Sequence, residues 1–238
     1  MDCSDCSSSR ITPVIMEEKR PAYRLALLSS AITTACGLVY LVFMGVLAAT
    51  GGMTFPPSET VQLFGGISTA VSALLLPVLF VSVHYLVPSK LKVYSLLGIV
   101  FCGMFSVFVG INRFVQLSVV RISLLEGNAA GLERFLPYDG RSAMFALEMT
   151  GWGIFMSLAL FFLALALSRR GLQGAARIAF FAYVPLGLTS AIAFMVDSPL
   201  SAIGFIAWGL ILIVGMGLLL LALRNPMKYW PELISKKD

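Results

Sequence analysis

The chain has 238 residues, 58% of them hydrophobic and only 12% charged, with a mean hydropathy of +0.91, whereas soluble domains carry about 25% charged residues. That balance excludes an ordinary soluble globule, because the apolar residues lie in blocks too long for a globular core and long enough to cross a bilayer. The net charge of +5 comes from lysines and arginines flanking those blocks, so it gives no ground for a nucleic-acid role.

The chain opens on "MDCSDCSSSRITPVIMEEKR", which is polar and Ser-rich and lacks the short apolar core of a cleaved signal peptide. Residues 1–22 therefore read as a disordered cytoplasmic tail. Cys3 and Cys6 form a lone C-x-x-C. No second cysteine pair and no nearby histidine accompanies it, and a reducing cytosol would keep both thiols free, so an inert reading outweighs a metal or dithiol one.

A bilayer core of about 30 Å takes roughly 20 apolar residues in a helix. Six blocks meet that length, at 25–49, 62–87, 93–115, 143–168, 178–196 and 200–223. Lipid offers the backbone no hydrogen-bonding partner, so blocks this long are helices and not barrel strands. The expected fold is all-α, a polytopic transmembrane bundle of six helices over residues 23–224, followed by a cytoplasmic tail at 225–238.

In the first block Ser29, Thr33 and Gly37 recur at four-residue spacing, as do Ala26, Ser30 and Thr34, which suits close helix approach in lipid. Cys36 and Cys102 lie within spans and read as small packing residues. Pro77 and Pro185 fall inside the second and fifth spans, where each removes a backbone hydrogen bond and is expected to kink the helix. Only "DSPL" joins the fifth span to the sixth, which leaves a re-entrant hairpin as the alternative there.

Lys and Arg fix the expected orientation. Arg10, Lys19, Arg20 and Arg24 precede the first span. Lys90 and Lys92 separate the second from the third, Arg169, Arg170 and Arg177 the fourth from the fifth, and Arg224, Lys228, Lys236 and Lys237 follow the last. The loops "GGMTFPPSET" and "DSPL" contain neither residue type, so both termini are expected in the cytoplasm.

Against this apolar background the stretch "GINRFVQLSVVRISLLEG" stands out, since it places Asn112, Arg113, Gln116 and Arg121 on one helix-compatible segment. Arg113 lies 21 residues beyond Lys92, and Glu148 lies 21 residues before Arg169, so both stand about 31 Å above the inner anchors; Asp197, beyond Arg177, stands at about 30 Å. A charge within the membrane usually faces the bundle interior and pairs, which makes Glu148 the expected partner of Arg113. Gly103, Ser106, Gly110, Arg113 and Gln116 fall on one stripe, expected to face inward.

Two readings follow. In one, Arg113 snorkels to the headgroups or locks the third helix to the fourth. In the other, Asn112, Arg113 and Gln116, completed by Glu148 and Asp197, form an outward-facing polar pocket for an anionic or amphipathic ligand, with Trp152 and Trp208 at its floor. An aromatic interface belt accounts for the tryptophans equally well. The third helix is expected to continue to about residue 126, placing Arg121 in water. The long connection "LEGNAAGLERFLPYDGRSAM" carries Arg121, Glu126, Glu133, Arg134, Asp139 and Arg141 in balance and reads as a solvated loop or a lid.

No catalytic or cofactor motif is found. His84 is the single histidine, which excludes bis-histidine haem ligation or a histidine-rich metal site. No span contains a lysine, and no nucleophile elbow, zinc-protease helix or phosphate loop is present. No cofactor and no metal are expected. The arrangement of "NRFVQLSVVR" before the longest loop, with "SRRGLQGAARIAFF" between the fourth and fifth spans, resembles a family of six-span bacterial integral membrane proteins that has no established activity. The resemblance implies a bacterial inner membrane and no site residue. A binding or transport module for a small amphipathic molecule or lipid is the leading expectation. The alternatives are an accessory subunit with membrane-protein partners and an intramembrane enzyme, for which Arg, Glu and Asp supply acid and base groups and nothing more.

Overall fold

In lipid every backbone donor and acceptor needs a partner within its own segment, and the chain meets that demand with helices. The computed structural model describes residues 17–49, 58–128, 130–136 and 142–230, with no strand among them. Six of its helices are long and apolar enough to span a membrane, and the protein is a multi-pass membrane protein. They are α1 (Arg20–Ala49), α2 (Glu59–Leu86), α3 (Ser89–Leu125), α4 (Ala143–Ala166), α5 (Gly171–Met195) and α6 (Pro199–Arg224). The Cys3–Cys6 pair, Arg10, Asp139, Arg141, Lys236, Lys237 and residues 51–57 of the first loop lie outside the described residues.

Consecutive helices pack side by side and α1 also packs against α6, so the bundle closes into a ring. Small residues permit the close approaches. Gly37 of α1 rests on Ile213, Gly153 of α4 faces Ala191 and the Gly187 carbonyl of α5, and Gly215 of α6 abuts the Phe180 ring. The Ser30 hydroxyl donates to the Met216 carbonyl at 3.4 Å. The α1 stripe of small residues thus packs largely as its spacing implied. One half of the ring is filled by large apolar side chains, among them Leu79, Phe80, Met156, Leu160, Phe180 and Leu219.

The α5–α6 connection is a tight turn between two full-length helices. Ser198 accepts from the Leu200 amide at 3.3 Å, and the Ser190 hydroxyl donates to the Ser201 carbonyl at 2.5 Å. Beyond α6 a short helix, α7 (Pro226–Tyr229), folds back on the bundle. Gln173 donates to the Tyr229 carbonyl, Tyr229 covers Gly171 and Trp230 is buried. Gly171 has a φ of 58°, a left-handed conformation that disfavours side chains, and the tyrosine ring leaves no room for a Cβ there.

Helices α2 and α5 continue through Pro77 and Pro185, each of which lacks the amide of the helical ladder, and the ladder is altered further in wide π turns at Gln116–Val120, Met149–Phe155 and Ala207–Ile211. One expectation is corrected. The buried stripe of α3 is Cys102, Phe105, Val109, Asn112, Arg113 and Gln116. Gly103 and Gly110 stand to one side of it, with open space where a Cβ would be, and Ser106 reaches the Ala73 carbonyl of α2 at 2.7 Å. The reason is that bulky apolar side chains fill the interior, which displaces the small residues to the flank of the buried stripe.

Candidate functional site

The three π turns belong to α3, α4 and α6 and begin just past Arg113, just past Glu148 and just before Trp208. Such turns carry one residue more than an α turn and recur at functional sites. In α4 the sequence "TGWG" places Trp152 between two glycines, and Gly151 meets Val109 of α3 while Gly153 meets α5. The Trp152 carbonyl, within this wider turn, accepts from the Tyr183 hydroxyl at 2.8 Å. That bond ties the irregular stretch of α4 to α5.

Arg113 and Glu148 form an ion pair, each side chain about 10% exposed. Asn112 donates from Nδ2 to the second carboxylate oxygen, Oε2, so both Glu148 oxygens are engaged. The equal heights deduced for the two charges therefore correspond to contact. Taking both ions out of water is costly, and the pair persists because each ion compensates the other. A consequence is that this site carries no net charge.

Between the helices lies a cleft lined by Thr33, Gly37 and Tyr40 of α1, Ser68, Thr69 and Ser72 of α2, Arg113 of α3, Glu148 and Trp152 of α4, and Trp208, Leu212 and Met216 of α6. The cleft has a volume of about 60 Å3, where one water takes roughly 10–15 Å3. The space holds a few waters. Along α6 the lining runs from Phe205 to Met216, about 16 Å at the helical rise.

The hydroxyls on the α2 wall are already committed as donors. Ser68 donates to the Cys36 carbonyl at 2.9 Å, Thr69 to Gly65 at 2.7 Å and Ser72 to Ser68 at 3.0 Å. Their remaining capacity is to accept. Among the buried polar atoms of the lining, Trp152 Nε1 and Thr33 Oγ1 have no hydrogen-bond partner among the described residues.

The structure thus distributes the expected site residues over different roles. Arg113, Glu148, Trp152 and Trp208 line the cleft together. Asn112 holds Glu148 from beside it. Gln116 is buried and donates to the Phe135 carbonyl at 2.9 Å, pinning the connection between α3 and α4. Asp197 does not join them. It lies exposed in the turn after α5 at a φ of 55°, lining a separate shallow groove with Arg134, Ser142 and Phe194. Helix α5 ends at Met195, so no helix carries the Asp197 side chain inward.

The α1 and α2 walls were missed as site elements, since Thr33 belonged to a stripe read as packing and Ser68, Thr69 and Ser72 drew no notice. The available signal is their clustering opposite the tryptophans, together with the Trp-Gly dipeptide that recurs at Trp152 and Trp208. Arg121, which was expected in water, makes a partly exposed ion pair with Glu59 at the start of α2, at 3.0 Å. His84 is structural, its Nδ1 sharing a 2.8 Å hydrogen bond with Ser95 Oγ. No group of three or more metal-binding side chains is found among the described residues. No family model, no curated protein and no solved structure matches the chain.

Proposed function

We propose that the protein is a binding or transport module for a small single-chain amphipathic molecule, a lipid or lipid-like compound, held in the cleft between α1, α2, α4 and α6. The observation that carries this reading is the cleft itself, narrow and mostly apolar, with the Arg113–Glu148 pair and two tryptophans in its wall. The polar end of the ligand rests beside Arg113 and Glu148, and its chain lies among Trp208, Leu212 and Met216. Because the two charges cancel, a neutral or zwitterionic polar group is favoured over a simple anion, which would have to displace Glu148 from Arg113. The Lys and Arg bias makes this end of the bundle the outer one, and the membrane proposed is a bacterial inner membrane.

Native mass spectrometry of the gently solubilised protein, beside lipid extraction, tests the proposal. Wild type is expected to retain one class of amphiphile. Thr69→Phe, which projects a ring into the cleft from a helix that packs normally, is expected to lose it while melting within a few degrees of wild type. Identical small-molecule profiles for the two proteins would overturn the reading.

A further inference from the structure

At the end of the bundle opposite the Arg113–Glu148 pair, the turn from α4 into α5 gathers Arg169, Arg170 and Arg177. We propose that Arg169 and Arg177 bind the phosphate of an anionic phospholipid whose chains lie on the aromatic flank of α4 and α5, a site separate from the cleft. Arg169 and Arg170 are exposed in the turn, and Arg177 is half-buried, about 9 Å into α5 at the helical rise. Among the described residues no carboxylate pairs with any of the three. The described acids at this end, Glu17 and Glu18, stand at the start of α1, a helix that packs on α2 and α6.

The fold orients Arg177. Its Nη1 donates to the Leu167 carbonyl at the end of α4 at 3.0 Å, and its guanidinium lies over the Phe181 ring, 5.1 Å from the centroid. These two contacts hold the fork in place and leave its other N–H groups without an acceptor among the described residues. A planar fork of this kind takes two phosphate oxygens at once. The Arg169 backbone abuts Gly174, three residues before Arg177, and the Arg169 charge acts on Arg177. Two like charges therefore stand near each other, and an anion bound by both relieves their repulsion.

Deeper in the membrane the same flank is built for hydrocarbon. Phe181 stands one turn beyond Arg177, about 6 Å further in. Its ring meets Phe161 of α4 with centroids 5.8 Å apart, and Phe161 in turn meets Phe162 at 5.3 Å. Ile178, beside Arg177, is 71% exposed. Cations at the rim and apolar rings beneath them follow the order of a phospholipid, charged group outermost and chains within. An arginine this close to hydrocarbon is costly without a counter-charge, and a lipid phosphate supplies one, as basic pockets between membrane helices do with anionic headgroups. A choline headgroup carries its own cation, which the arginines repel, so a lipid of net negative charge is selected.

The test measures retention of dioleoylphosphatidylglycerol, dioleoylphosphatidylcholine and inorganic phosphate by the full-length protein in a nonionic detergent, by native mass spectrometry. Wild type is expected to prefer the anionic lipid over its choline counterpart by about ten- to thirtyfold, at about fivefold per arginine. Arg177→Gln and Arg169→Gln are each expected to lower that preference about fivefold. Lys90→Gln, at the start of α3 and the same end of the bundle, is expected to leave it unchanged. Equal retention of the two lipids by wild type would overturn the proposal. So would a loss in Lys90→Gln equal to that in Arg177→Gln, which would mean a general attraction to the basic end of the bundle. Retention of inorganic phosphate without lipid would also overturn it and make the arginines a site for the free anion. Arg169 is exposed, and its variant leaves the Leu167 and Phe181 contacts of Arg177 in place, so a poorly folding Arg177→Gln does not blunt the test. Thr69→Phe, which fills the cleft, is expected to keep the anionic lipid, so failure of this proposal and failure of the cleft reading are told apart.

Discussion

Removing the Glu148 carboxylate is the sharpest perturbation of this bundle. Glu148→Ala would leave Arg113 about 10% exposed with its compensating charge gone, and would take the acceptor from Asn112 Nδ2. Stripping one partner from a buried ion pair costs about 3–5 kcal/mol in dry interiors. Here the cleft beside the pair lets water approach, so the expected loss is smaller, about 2–3 kcal/mol. Arg113→Ala should cost about the same, because Glu148 would keep only its bond from Asn112. The double variant leaves no uncompensated charge and should lose only about 1 kcal/mol, giving a coupling energy of about 3–5 kcal/mol in its favour. The assay is reversible unfolding of wild type, both single variants and the double variant in mixed micelles, each followed by far-ultraviolet dichroism. Additive losses within about 0.5 kcal/mol would refute the reasoning, since they would mean that the two side chains are solvated independently and that Arg113 snorkels.

Two further outcomes follow from packing and topology. A Cβ added at Gly153 would stand 2.7 Å from Ala191 Cβ and 3.0 Å from the Gly187 carbonyl, so Gly153→Ala should lower stability by about 1–3 kcal/mol, whereas Gly103→Ala, which meets open space, should be neutral or gain up to about 1 kcal/mol from helix propensity; a reversed order in thermal melts would contradict the α4–α5 contact. The Arg121–Glu59 pair joins the end of α3 to the start of α2, so cysteines placed at Ser58 and Asn128 should react with an impermeant maleimide from the same side of intact cells, the outside, while one at Lys90 reacts only after permeabilisation. Labelling of Ser58→Cys and Lys90→Cys from one side would remove α2 as a span.

The secondary structure was legible because lipid leaves few options. Where no water can satisfy the backbone, the length of an apolar run decides between helix and strand, and the six blocks read at 25–49 to 200–223 correspond to six helices. The meeting of Arg113 with Glu148 was legible for a related reason. Helical rise is constant, so counting residues from Lys92 and Arg169 set both charges at one height, and an unpaired charge in the membrane is costly enough to seek the other. The end of α3 beyond the apolar run was foreseen too, at Leu125 against an expected 126.

Rotation about each helix axis was decided by the tertiary structure. Ser29, Thr33 and Gly37 satisfy a packing stripe and a cleft wall equally well, because small residues serve close approach and open space alike, and only the position of α6 decided that Gly37 meets Ile213 while Thr33 is left facing the cleft. The inward face of α3 likewise went to Phe105 and Val109, since filling the interior rewards volume, while Gly103 and Gly110 were turned aside. Composition and spacing therefore determined by themselves a six-helix membrane bundle with one buried ion pair. That a cleft exists beside the pair was decided by the tertiary structure, in which α1 closes on α6, because a cleft depends on how side chains from distant segments fill shared space, and no local pattern encodes that sum.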